Sequence, residues 1–502
     1  MLRNIGSNWA VTLVSIAATY VLTPFIIHTL GHEGYGTWTL ITAITGYMTL
    51  LALGVPMACV RYVTEHVAAH DTRAMNRAIG SCIGLYVGIG IVSLVIGFAL
   101  TTALTAIYDI PIELQWEARF ACAVMVVQVS AGFIGLLPEG ILFAHHDFVT
   151  RNVVRIGAVI LRLGLTIGLL TMQSSLVLLA AVQLACLVFD FGASLLLIRR
   201  KYPEVRLSLS DFDWDSVRKI FSFSMYVLLL TAGARLSFET DALVIGALLG
   251  VGLIPFYTVA NSLVLYLMDF MAAIAAVVAP MATKLNTEGR RGELTDIFLK
   301  WSKVSLSISL AAGLFLIVLG PRFVAWWIGP EFEGPSGVVL QILMASSLIF
   351  LPIRGVAQPL LMGLGKPRAV TFGFLATGIA NLAISIALAR PWGLVGVAIG
   401  TAIPNVVFAV FVLIIACREL GVGVPRFLHY VVPRAALGAV PPLALLIWFK
   451  VGIDVQNLVG LAAAGVAMLA LYAVTWILFV YRDDPYVDLT PLLVRLRAWG
   501  RA

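Results

Sequence analysis

Charge is scarce in this chain: Asp, Glu, Lys and Arg make up only 12% of its 502 residues, while 61% are hydrophobic. An average soluble domain has roughly 25% charged residues. No soluble core can absorb so much apolar surface, so a soluble fold is excluded. The apolar residues fall into runs of about twenty, the length a helix needs to cross about 30 Å of hydrocarbon. About fourteen such runs are present.

Reactive side chains are also few. The five cysteines, Cys59, Cys82, Cys122, Cys186 and Cys417, show no CxxC spacing and are odd in number, so they are read as inert packing thiols. All seven histidines lie at expected helix ends or in loops, which leaves no mid-membrane base for acyl transfer or proteolysis. No GxxxxGK[ST] loop is present, so ATP does not drive this chain unless a partner supplies it. No cofactor or metal is expected. His145-His146-Asp147 has the residue types of a metal site, but adjacent histidines do not readily reach one ion, and a solvated loop is the better reading. The outer loops are short; the longest, Pro321 to Gly337, carries two tryptophans at interface depth. Acting on sugars outside would call for a larger domain, so a membrane enzyme is disfavoured.

The formal charge of +7 would suggest nucleic acid in a soluble protein. Here its placement matters more, and no nucleic-acid partner is expected. With the N-terminus inside, inner loops and tails hold 26 of the 33 Lys and Arg residues, the outer side holds Arg322, Arg390 and Lys450, and four lie within helices. Cytoplasmic loops are enriched in both residues, so both termini are expected in the cytoplasm. The first apolar run, from near Asn8, is too long for a signal-peptide core and should remain as a helix. Pro24 within it removes a backbone donor and should bend it.

A shift of 219 residues lays Leu30-Gly31, Trp38-Thr39 and Tyr47 on Leu249-Gly250, Tyr257-Thr258 and Tyr266. Each copy holds six apolar runs, and an even number returns the chain to its starting side, as in parallel repeats. The expected fold is therefore an all-α polytopic membrane protein of about fourteen transmembrane helices. It has two pseudo-symmetric six-helix lobes around a central cavity, plus two C-terminal helices. The expected boundaries are an N-terminal lobe at 1–198, a basic cytoplasmic linker at 199–219, a second lobe at 220–416, and two extra helices with a tail at 417–502. The linker and the tail sequence LTPLLVRLRAWGRA read as interfacial anchors, with arginines for anionic lipid and Leu/Trp for the acyl boundary.

Nine ionisable residues fall within expected helices: Arg119, Glu139, Arg162, Asp190, Arg235, Glu239, Asp241, Asp269 and Arg354. At roughly 3 kcal/mol each on insertion scales, they cannot all face lipid. Arg235 and Glu239 are four residues apart on one helical face, while Asp241 points some 200° around from Glu239 on the same helix. Either Arg235 and Glu239 form a structural staple, or they serve a ligand. Asp241 and Asp269, on neighbouring helices, are candidates for cation coupling together with Glu239. Arg162, mid-span, suits an anionic group because a guanidinium offers phosphate a planar fork; pairing with Asp190 is the alternative. Arg354, between two prolines, can face a cavity where the backbone is irregular. Arg119 and Glu139 lie near helix ends, where they can snorkel, and Arg61 reads as a topology anchor.

The N-terminal strings RNIGSNW and TPFIIHTLGHEGYGTWTLITAITGYMTLLALG resemble the polysaccharide transporter family of oligosaccharide flippases. Its superfamily also contains lipid II flippases and multidrug and toxin extruders. TDALVIGALLGVGLIPFYTVANSL is similar to that family's seventh and eighth helices, although the family usually has glycine where this chain has Pro255. Lipid II flippases carry an arginine in the first helix that is missing here, which argues against a peptidoglycan precursor. The resemblance implies two six-helix lobes rocking about a cavity and an undecaprenyl-diphosphate-linked oligosaccharide as substrate. Membrane lipids and polysaccharide polymerase or export proteins are the implied partners, and a bacterial inner membrane the implied location. On this reading Arg162, Arg235 and Arg354 are the phosphate candidates, and Asp241, Asp269 and Glu239 the ion-coupling ones. The nine charges sum to −1, so an extruder of organic cations, with acids in a closed pocket, stays open as a second reading.

Overall fold

The computed structural model describes residues 2–52 and 54–487. Among these no strand occurs. The helices are α1 (Leu2–Met48), α2 (Val55–Ala68), α3 (Thr72–Ile107), α4 (Ile112–Ala144), α5 (Phe148–Met172), α6 (Leu176–Lys201), α7 (Trp214–Phe238) and α8 (Thr240–Leu248). They continue as α9 (Ile254–Thr287), α10 (Arg291–Val318), α11 (Gly320–Trp327), α12 (Glu333–Gly363), α13 (Pro367–Leu420), α14 (Val424–Val431), α15 (Pro433–Trp448) and α16 (Leu458–Thr475). Among the described residues eleven helical segments are long and apolar enough to span a membrane. Two of them, α1 and α13, each hold two helices folded at a glycine, Gly31 and Gly393, so the count of about fourteen is approximate.

The glycines mark the repeat. Gly31 breaks α1 at φ 71°, and its counterpart Gly250, between α8 and α9, lies at φ 103°. Only glycine adopts such angles cheaply, so both copies turn from one helix into the next at the same place. Pro24 lies within α1, yet the helical backbone is interrupted at Gly31 and not there.

The chain divides into two compact units. The first runs to Arg235 and takes in Glu239–Pro255; the second holds Leu236–Phe238 and the chain from Phe256. In the first unit α2, α3 and α4 share a core of Val55, Ile79, Tyr86, Phe133 and Ile141. Cys59 and Cys82 meet within it as a disulfide, so the reading of five free thiols is corrected. The two residues stand about equally far from the turn between α2 and α3, which brings them level across an antiparallel hairpin. After α6 the linker lies along α3. Asn76 donates to the Glu204 carbonyl at 3.0 Å and accepts from the Arg206 amide at 2.8 Å, and Ser81 accepts from the Asp213 amide at 3.0 Å. A Cβ on Gly80 would come within 2.7 Å of the Ser208 carbonyl, so a side chain there would lift the linker off.

In the second unit the rings of Phe350 and Phe374 each pack against Phe408. The C-terminal helices dock on α10. Lys303 of α10 is ion-paired with Asp484 and donates to the Val480 carbonyl at 3.1 Å, between the rings of Tyr430 and Tyr481. The expected outer loop from Pro321 folds instead as α11, a 3-10 turn and the start of α12. Its apolar residues recur on one helical face, and Val324 and Trp327 are buried. The arginine-rich tail from Leu489 lies outside the described residues.

Candidate functional site

A group of charged side chains gathers on α5 and α6 in the first unit. Asp147 starts α5: its carboxylate accepts from the Thr150 amide at 3.2 Å and the Thr150 hydroxyl at 2.7 Å, which satisfies donors a helix start leaves open. Lys201 at the end of α6 pairs with the same carboxylate at 2.8 Å, tying the start of α5 to the end of α6. Burial works against the charged form of Asp147, but Lys201 and Thr150 outweigh it and hold the carboxyl below the usual carboxylate range.

From this start Arg151, Arg155 and Arg162 follow at four- and seven-residue intervals, so they share one face of α5. All three line a cavity of about 460 Å³, opposite Asp190 of α6 and Glu139 of α4. Arg151 is ion-paired with Glu139. Asp190 interacts electrostatically with Arg155 and then Arg151, so the expected pairing with Arg162 is not what forms. The Nε atoms of Arg151 and Arg162 are buried without hydrogen-bond partners. Two further cavities adjoin. One of about 520 Å³ shares Gln128 and Leu187 with the first. Another of about 150 Å³ shares Arg162 and Gln183 and reaches Trp38. Arg162 thus lies where two cavities meet.

The seventh span departs from a continuous helix. α7 ends at Phe238, Glu239 leaves helical angles at φ −121° and ψ −8°, and α8 begins at Thr240. The angle expected between Glu239 and Asp241 assumed an unbroken helix and is corrected accordingly. Tyr47 bridges the break: its hydroxyl donates to the Arg235 carbonyl at 3.0 Å and is hydrogen-bonded to Thr240. Arg235 is ion-paired with Glu239, and its Nη2 reaches the Thr49 hydroxyl at 3.2 Å. Asp241 is 2% exposed in the first turn of α8.

In the second unit the Arg354 guanidinium stands over Phe238, Phe350 and Phe374 at 5.1, 5.5 and 5.6 Å from the ring centres. Its Nη1 is buried without a hydrogen-bond partner. Asp269 of α9 is exposed and supplies the nearby negative charge. Arg162 and Arg235 therefore belong to the first unit and Arg354 to the second, with Glu239 and Asp241 in the first and Asp269 in the second. Arg119 bonds Thr105 at 3.0 Å. His145 points its Nδ1 to the Ile141 carbonyl at 2.9 Å, and no group of metal ligands forms among the described residues. Arg151 and Arg155 were not singled out in the sequence. The available signal was the four-residue spacing directly after Asp147, a good N-cap residue.

A family profile described as "Polysaccharide biosynthesis protein" matches residues 1–286. Over 486 residues, 94% of each chain, the sequence is 22% identical to the uncharacterized membrane protein EpsK of Bacillus subtilis. A 200-residue stretch, 40% of this chain and 42% of the other, is 20% identical to the probable low-salt glycan biosynthesis flippase Agl15 of Haloferax volcanii. Among solved structures, the lipid II flippase MurJ in an inward closed conformation superposes with a TM-score of 0.72 at 12% identity, over 95% of this chain and 98% of MurJ. An inward-facing multidrug resistance MATE family transporter of the MOP superfamily gives 0.70 at 17% identity, over 82% of this chain and 98% of the other. At these identities the likeness is one of fold, shared by flippases and extruders alike.

Proposed function

The chain belongs to the polysaccharide biosynthesis protein family, and we propose that it is a flippase that moves a polyprenyl-diphosphate-linked oligosaccharide across the bacterial inner membrane by alternating access, for surface polysaccharide synthesis. The observation that carries this reading is the arginine-lined cavity of the first unit, with three guanidinium groups against two carboxylates. A diphosphate needs such donors, because charge-assisted bonds from a planar fork offset the loss of its hydration. The adjoining cavity, lined by Tyr35 and Trp38, offers polar and aromatic surface for sugars. A polyprenyl tail can remain in the surrounding lipid.

The curated and solved relatives with a named role are flippases and transporters rather than enzymes. An extruder of organic cations calls for an acidic closed pocket, and the cavity here has the opposite balance. Arg235 and Arg354 remain the further phosphate candidates, and Glu239, Asp241 and Asp269 the candidates for ion coupling. On the Lys and Arg distribution, cytoplasmic termini are part of this proposal.

The test is the sidedness of lipid-linked oligosaccharide in inverted vesicles from cells with the protein, without it, and with Arg235→Ala or Asp241→Ala. Glycan that reaches the far leaflet only with active protein supports the flippase. Unchanged sidedness, with expulsion of cationic dyes instead, sinks it in favour of the extruder.

A further inference from the structure

The three arginines of α5 differ in what already neutralises them. Arg151, in the first turn, is ion-paired with Glu139. Arg155, one turn on, has Asp190 for an electrostatic neighbour. Arg162 lies two turns further, and none of the ion pairs among the described residues includes it, while its buried Nε has no hydrogen-bond partner. An anion arriving at Arg151 must displace a carboxylate, exchanging one oxyanion for another with little net gain, whereas at Arg155, which is in no ion pair among the described residues, it meets only the nearby charge of Asp190. At Arg162 there is nothing to displace. The row is about 16 Å long at 1.5 Å per residue, and its competition for an anion falls along that length.

We propose that Arg151, Arg155 and Arg162 form a graded binding track for a phosphate-ester headgroup of the diphosphate class, loaded by exchange against Glu139, opposed midway by the charge of Asp190 and retained at Arg162. This rests on the flippase reading for the identity of the headgroup and on the cavity geometry for its position. Arg151 and Arg155 stand about 6 Å apart along the helix axis, so the two phosphates of one headgroup can each engage one guanidinium. The carboxylates have a defined part: they keep the empty track nearly neutral, which limits the cost of holding three arginines within the membrane. They also keep the loading end weak enough for the headgroup to move on.

The test uses the full chain purified in neutral detergent, with inorganic pyrophosphate as the probe and its dissociation constant read by calorimetry. Arg162→Gln should weaken binding at least tenfold, and Arg162→Lys should restore part of it. Asp190→Asn should tighten binding several-fold, because it removes the competing oxyanion; a merely structural carboxylate would not produce that gain. Equal affinity in wild type, Arg162→Gln and Asp190→Asn overturns the track. A phospholipid headgroup is the other source of the same chemistry. Farnesyl diphosphate should compete with pyrophosphate and phosphatidylglycerol should not, and effective competition by phosphatidylglycerol overturns the diphosphate assignment. The vesicle sidedness experiment is separate. Unchanged sidedness with intact pyrophosphate binding removes the flippase reading and leaves the site, and the reverse pattern does the opposite.

Discussion

Lys303 and Asp484, 181 positions apart in the chain, form an ion pair whose side chains are no more than 1% exposed. Tyr430 donates to the same carboxylate at 2.8 Å, and the Tyr486 and Val487 amides at 3.0 and 3.1 Å. Four donors thus converge on one carboxylate, three on Oδ1 and Lys303 on Oδ2, which is what makes a buried carboxylate tolerable. The pair therefore closes the C-terminal helices onto α10.

Removing one partner strands the other in a dry site. Lys303→Met should lower stability by about 3–5 kcal/mol, seen as a large drop in the thermal midpoint of the purified protein. Lys303→Met combined with Asp484→Asn should recover much of that loss. If the single variant melts with wild type, the pair does not hold the helices.

Acid should release two clasps together. In Asp484 burial opposes the charged form, but Lys303, the Tyr486 amide and Tyr430 outweigh it and hold the carboxyl below its usual range, as Lys201 and Thr150 do for Asp147. A depressed carboxyl contributes stability that is full above its unfolded value of about 4 and disappears as pH falls through the folded value. The thermal midpoint should thus be flat from neutral pH down to about 5 and fall below about 4. The fall should be shallower for Asp147→Asn with Asp484→Asn, and equal slopes would show that neither clasp contributes.

The Cys59–Cys82 bridge predicts that these two thiols resist alkylation in the unfolded protein until a reductant is added, while Cys122, Cys186 and Cys417 react at once. Closing a loop with a sequence separation of 23 residues stabilises by about 3 kcal/mol on chain-entropy grounds. Cys59→Ser should cost about that much. Mass spectrometry showing five alkylated cysteines without reductant would rule the bridge out.

Gly31→Ala should cost about 1–3 kcal/mol, because it forces a Cβ into a backbone region that is nearly glycine-only. No neighbouring atom lies within 4 Å of a Cβ built there, so the loss would come from the backbone and not from a clash. Gly6→Ala, also in open space in α1, is the control and should be neutral or slightly stabilising. Equal melting of the two variants would remove Gly31 from the turn.

The membrane spans and the repeat were legible because both are written in hydropathy and in glycine, which act locally. Arg162 was legible for the same reason, standing mid-span in an apolar run. Arg151 was not, since α5 begins at Phe148, ahead of the apolar run from about 153 that marked it, and Arg155 stands in the first turn of that run, where a charge reads as part of the preceding basic loop. The break at Glu239 carries no Gly or Pro and depends on Tyr47 and Thr49, nearly two hundred residues away. Cys59 with Cys82, and Lys303 with Asp484, are set by which helix faces which, and periodicity in one helix does not specify that.

The row of arginines also bears on how the chain is made. Offered alone to the translocon, α5 carries a cost of roughly 3 kcal/mol for Arg162 at its middle, with smaller additions from Arg155 and Arg151 nearer its end. The compensating carboxylates lie on the helices to either side, Glu139 already synthesised in α4 and Asp190 still to come in α6. Commitment of α5 to the lipid phase should therefore wait for α6, and the three helices should leave the channel as a set, with the future cavity assembled during biogenesis.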